Sequence, residues 1–165
     1  MKELLSNLIE ALREELKQYG EMLALLDQQQ NLVMHRQTAE LPENVQSVNT
    51  QAGVIAVARQ EREQRQRHLA RMLSIPEESG FTVLLPLLPP DYQPLMGALV
   101  DENNHLLVRV QQRARQNHLM LSHCVELMQQ LIQSFIPGVG PVTYNGSGQV
   151  PAVETCASPL YQAVG

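Results

Sequence analysis

The chain has 165 residues, of which 44% are hydrophobic but only 4% aromatic, with no Trp and a formal net charge of -5. That length fits one domain, and a core this short of aromatics must be built from Leu, Val, Ile, Met and Ala, a mixture that favours helix over sheet. The acidic balance gives no long-range attraction to phosphate backbones or anionic membranes, so nucleic acid is excluded as the main ligand and protein is the expected partner class.

The opening MKELLSNLIEALREELKQ places carboxylates among its apolar residues from the third position, unlike the uninterrupted apolar centre of a signal peptide. From Lys2 to about Met34, apolar residues recur at Leu5, Leu8, Leu12, Leu16, Tyr19, Leu23 and Leu26, the alternating three-and-four spacing of a coiled-coil seam. No Pro interrupts the run, and Glu10, Arg13, Glu14 and Lys17 point away from the seam, so the spacing predicts one long amphipathic helix over about 2–34. Such a seam must meet other helices.

Thr38 and Pro42 signal a break, and Pro42 suits the first turn of a new helix over about 42–73. Its expected seam is apolar at Val45, Val48, Ala52 and Ile55, then polar at Arg59, Arg62 and Gln66 before Leu69 and Leu73. Arg59, Arg62, Arg65, Arg67 and Arg71 lie close together with only Glu61 and Glu63 to offset them locally. They read as a solvated helix face, or alternatively as a basic patch for an acidic partner.

The segment 74–94, SIPEESGFTVLLPLLPPDYQP, carries five prolines and cannot continue a regular helix. Its apolar residues Phe81, Val83, Leu84, Leu85, Leu87 and Leu88 are too many for a solvated linker. They are expected to cover the open end of a helical core, with a partner-binding strip as the alternative. The longest run, Val83 to Leu88, is broken by Pro86 and falls far short of the roughly 20 residues that span a bilayer, so no direct membrane insertion is expected.

A third long helix is predicted over about 95–135, where no proline intervenes. Its seam reads Asn103, Leu107, Val110, Ala114, Asn117, Leu121, Cys124, Met128, Leu131 and Phe135. Polar residues at seam positions usually fix register, and Asn103 and Asn117 are assigned that role. Beyond Phe135, residues 137–165 are rich in Gly, Pro, Ser and Thr and lack periodicity, which predicts a flexible tail. The anchors Val139, Val142, Tyr144, Val150, Val153, Leu160 and Tyr161 suggest that this tail orders on a partner. The expected fold is therefore all-α, a bundle of long antiparallel coiled-coil-like helices in a domain of residues 1–136, followed by that tail.

Catalysis would need a nucleophile with a base, a carboxylate pair in a pocket, or a metal cage, and the residues offer little toward any of these. His118 and His123 are five apart and lie on different faces of a helix, and Cys124 and Cys156 have neither CxxC spacing nor histidines clustered around them, so neither a metal site nor a cofactor is expected. The thiols are expected to be reduced in a reducing cytosol. GVGP is followed by neither Lys nor a helix and reads as a turn. The expectation is a non-enzymatic protein.

Four segments occur in order: LLSNLIEALREELKQYGEMLALLDQQ around Tyr19, the Arg-rich second helix, NHLMLSHCVELMQQLI opening at Asn117, and TYNGSG in the tail. In this layout, over its whole length, the chain resembles the FlgN family of flagellar type III export chaperones, cytoplasmic α-helical proteins of bacteria. The resemblance implies a protein that binds the C-terminal helical regions of the hook-filament junction proteins, keeps them unpolymerised and delivers them to the type III export gate. It also implies that Leu121, Met128, Leu131, Ile132 and Phe135, together with Val139 and Val142 of the tail, contact the client. Tyr144, with Asn145 and Gly146, matches a tail motif that looks like a docking point for the cytoplasmic domain of the membrane export gate. The rival reading is a structural coiled-coil scaffold whose helices support permanent self-assembly.

Overall fold

The computed structural model describes residues 1–135, and the expectations placed on the tail, including those for Val139, Val142, Tyr144, Asn145, Gly146 and Cys156, lie outside the described residues. Helix α1 spans Lys2–Met34, α2 Leu41–Met72, α3 Phe81–Leu84 and α4 Gln93–Phe135, with a 3-10 turn at Leu85–Leu87. Among the described residues there is no strand, and the fold is the expected all-α bundle of long helices. The chain divides into two units, Met1–Ser122 and His123–Gly165.

In the first unit, Asn44 of α2 donates to the Leu25 carbonyl of α1 at 3.1 Å and Gln51 to the Gln18 carbonyl at 3.1 Å, so rising numbers on α2 meet falling numbers on α1. These two helices are antiparallel. On α4, Asn103 donates to the Leu12 carbonyl at 3.0 Å and Asn117 to the Leu26 carbonyl at 2.7 Å, so α4 runs parallel to α1 in an up-down-up arrangement. Helices α1 and α2 pack closely, whereas the backbone of α4 stands further off and reaches α1 through its side chains.

The apolar core sits at one end of this unit. Leu5, Leu8, Ile9 and Leu12 of α1 meet Leu69 and Ala70 of α2, Leu84 and Leu88 of the connector, and Met96 of α4. The connector thus closes the end of the bundle with Leu84 and Leu88, while Phe81 and Leu85 pack against them and Val83 and Leu87 face solvent. Gln66 ties the connector to α2 by donating to the Ser79 carbonyl at 2.8 Å.

The α1 seam differs from the sequence pattern at two places. Strict alternation of three and four from Leu5 through Leu8 and Leu12 lands on Glu15, Tyr19, Met22, Leu26 and Gln29, all buried, whereas Leu16 and Leu23 are half-buried on the flank. A similar slip occurs on α2, where Asn44, Gln51 and Ala58 are buried and Val45 and Ala52 are exposed. At Leu16, Val45 and Ala52, apolar character drew the expected seam one residue away from the polar positions Glu15, Asn44 and Gln51 that geometry puts inside.

Both long N-terminal helices end without glycine. Arg36 adopts φ 57 and Ser74 φ 58, the left-handed conformation of a C-terminal cap. Gln37 then bonds back to the Leu32 carbonyl at 2.8 Å and Ile75 to the Ala70 carbonyl at 3.1 Å. Ile75, just past the second cap, lands against the apolar core. The prolines fall where they cost no helical hydrogen bond: Pro42 and Pro94 are each second in their helices, α2 and α4.

Candidate functional site

Beside the core of the first unit lies a cleft of about 340 Å³, floored by Leu12, Glu15 and Tyr19 of α1 and walled by Arg59 and Arg62 of α2 and by Val100, Asn103 and Leu107 of α4. Glu15 projects into it because it occupies an inward position of the α1 seam. Only 4% of its surface is exposed, and it accepts hydrogen bonds from Arg62 Nε at 2.9 Å and from the Tyr19 hydroxyl at 3.0 Å. Arg62 also donates to Gln66, so the network runs from α1 through α2 to the connector backbone. Burial, then the Glu15 charge and its hydrogen bond, push the Tyr19 hydroxyl up to about 12, against the opposing pull of Arg59 and Arg62. The phenol, held neutral, and the carboxylate, paired with Arg62, form a joint between α1 and α2.

The arginine cluster of α2 is mostly paired within the chain. Arg59, Arg62 and Arg67 share Glu63, Arg65 meets Glu61, and Arg71 meets Glu77. Arg65 also reaches the Asn7 carbonyl at 2.8 Å. The stretch is thus largely a self-paired face. Around Glu63 three guanidinium groups meet one carboxylate, and of these Arg62 is paired in addition with Glu15.

Asn103 and Asn117 are buried as their seam positions require, and each fixes α4 to α1 through its amide nitrogen. Asn117 also donates to Gln29 Oε1 at 3.1 Å. Further along α4, Arg113 pairs with Asp27 at 2.7 Å and donates to Gln30. The α4 attachment is therefore largely polar away from the core.

Of the residues expected to contact a client, Leu121 lies in the first unit and is half-buried. The described part of the second unit is the helical stretch from His123 to Phe135. Here Met128, Leu131, Ile132 and Phe135 are exposed, Phe135 by 80%, and Val125 and Leu127 are exposed with them. Sequence reasoning had not singled out Val125 and Leu127, although Val125 stands three and seven residues before Met128 and Ile132, on the same helical face. Opposite that face lie His123, Glu126, Gln130 and Gln133.

Among the described residues no three His, Cys, Asp or Glu side chains converge on a point that could hold a metal ion, and no helix is long and apolar enough to cross a membrane. Exposed apolar side chains gathered on one helical face, as in 123–135, are a feature of interaction surfaces. The family model described as FlgN protein matches residues 1–152, and the chain belongs to this family, whose members are flagellar export chaperones. No curated protein and no solved structure matches it.

Proposed function

We propose that this protein is a cytoplasmic, non-enzymatic export chaperone that binds the C-terminal helical regions of the flagellar hook-filament junction proteins, blocks their premature assembly and delivers them to the type III export gate. The observation that supports this reading best is the exposed face of Val125, Met128, Leu131, Ile132 and Phe135, in a stretch where Glu126 is the only carboxylate. Client segments that self-associate as amphipathic helices bury their apolar stripes against such a face by coiled-coil contact. Leu121 and the tail residues Val139 and Val142 extend the contact, and Tyr144, Asn145 and Gly146 dock on the cytoplasmic domain of the membrane export gate.

Calorimetric titration of the full-length protein with C-terminal fragments of junction proteins tests the reading. The variant carrying Met128→Glu and Ile132→Glu is expected to lose at least tenfold in affinity with unchanged melting, because both side chains are already in water. Tyr144→Ala should keep the client and lose the export gate in a binding assay. Absence of binding by every junction-protein fragment would refute the assignment.

A further inference from the structure

The cleft beside Glu15 continues, by heptad repetition, along both of its walls. On α2, Ala52 and Val45 stand seven and fourteen residues before the cleft residue Arg59; on α4, Ala114 and Leu121 stand seven and fourteen residues after Leu107. A drift of about 20° per heptad keeps each set on one face. The antiparallel course of the two helices puts these sets along the same stretch of α1, since Asn44 meets Leu25 and Asn117 meets Leu26. Yet Val45 is 37% exposed, Ala52 and Ala114 are exposed, and Leu107 and Leu121 are only half-buried. The backbones of α2 and α4 do not close on one another to cover them.

We infer that this shallow groove between α2 and α4 is a seat for a partner's amphipathic helix of about fourteen residues, bearing an apolar stripe and a carboxylate at the end that meets Arg59. The length follows from the span Val45 to Arg59, about 21 Å at 1.5 Å per residue. Small side chains at Ala52 and Ala114 leave holes for the knobs of a fourth helix. The carboxylate follows from charge. Between Asn44 and Ala58 α2 carries no charged residue, and at the cleft Arg59 is paired with Glu63, a carboxylate that Arg62 and Arg67 share. Asn103, 7% exposed at the cleft, gives both amide hydrogen bonds to the carbonyls of Leu12 and Leu99 while its Oδ1 has no donor, an acceptor that a polar group on the incoming helix can satisfy. The α4 wall of the groove ends at Leu121, a residue that the reading above also gives to the client contact; the source of the helix, a flagellar client, rests on that reading.

The test uses the full-length protein with labelled methyl groups and a synthetic sixteen-residue amphipathic helix with a Leu/Ala stripe, made once with Glu and once with Lys at both ends. Saturable methyl shifts at Val45, Ile55 and Leu107 are expected, with the Glu helix binding about tenfold tighter than the Lys helix. Arg59→Glu should reverse that preference, and Ala52→Trp and Ala114→Trp, both at exposed positions, should abolish the shifts without loss of helicity. Shifts confined to residues 123–135, or none at Val45 and Ile55, overturn the inference, as does broadening of the same methyls with protein concentration alone, which would put a second copy in the groove. A junction-protein fragment that binds wild type but tenfold more weakly to Ala52→Trp identifies the client as the occupant; equal binding to both removes it from the groove and leaves the chaperone reading standing. Failure of all such fragments while the Glu helix still fills the groove sinks the chaperone reading alone.

Discussion

Replacing Glu15 by Gln probes the joint that connects α1, α2 and the connector. Glu15 is 4% exposed and accepts from Arg62 Nε at 2.9 Å and from the Tyr19 hydroxyl at 3.0 Å, while the Arg62 side chain is 15% exposed. Removing one partner of a buried ion pair costs about 3–5 kcal/mol when the other is stranded. Arg62 is not wholly stranded, because Glu63 lies 3.6 Å away and the cleft admits water, so the cost should fall to about 2–3 kcal/mol. For a chain of this size that lowers Tm by roughly 5–10 °C. Arg62→Met alone should cost a similar amount by leaving the carboxylate buried, whereas the double variant Glu15→Leu with Arg62→Met should recover most of it, since two apolar side chains of similar volume need no desolvation. The assay is chemical denaturation of the four members of the cycle, with a coupling energy of at least about 1.5 kcal/mol expected. A loss under about 0.5 kcal/mol for Glu15→Gln, or additive losses in the double variant, would show that the pair is solvated and does not join the helices.

Three further outcomes follow from the same geometry. Because the folded Tyr19 hydroxyl ionises at about 12 and an unfolded one near 10, its contribution is complete below pH 10 and is lost as pH rises from 10 to 12; the unfolding free energy from denaturant titrations should decline over that window by about 1–2 kcal/mol, and the decline should shrink in Glu15→Gln. Arg36→Gly and Ser74→Gly, which relieve left-handed backbone at the ends of α1 and α2, should each stabilise by about 0.5–1 kcal/mol in thermal melts; destabilisation would mean that their side chains do more than close the cap. In the first unit, hydrogen exchange should be slowest around Leu8 and Leu69 and at least tenfold faster around Val108 to Leu119 on α4, where side chains are largely exposed; uniform protection would refute a core concentrated at one end.

The all-α class was legible because helical periodicity survives over three long proline-free stretches, and Asn103 and Asn117 were legible as inward positions because they sit at heptad spacing inside an apolar pattern. The α1 and α2 seams were misread where an apolar residue adjoins a polar one: Leu16 beside Glu15, Val45 beside Asn44, Ala52 beside Gln51. Hydrophobicity alone chooses the wrong member of each pair, since the polar member is inside by virtue of a partner far along the chain. Arg62 lies 47 residues from Glu15, and Gln51 lies 33 from Gln18. The short helix α3 was hidden in its proline-rich setting. The caps at Arg36 and Ser74 gave no sign because neither position holds the glycine that marks such turns. The exposed face of 123–135 was readable as a seam, but periodicity cannot say whether a seam is filled.

That last ambiguity has a physical origin in how this bundle is held. At the end closed by the connector, Leu5, Leu8, Leu69, Leu84 and Met96 exclude water, and stability there scales with apolar area. Away from that end, α2 and α4 are held by amide side chains bonded to α1 carbonyls, from Asn44, Gln51 and Asn117. Each such bond contributes only about 1 kcal/mol net, yet it is directional and fixes register, so it sets where a helix lies without demanding that its neighbours close around it. A bundle built with leucine at all these positions would collapse α4 onto α2 and bury Val45, Ala52 and Ala114. With amides in their place, the helices stay aligned while apolar side chains remain within reach of a visitor. The asparagines and glutamines that weaken the hydrophobic pattern are what allow the bundle to be both ordered and incompletely filled.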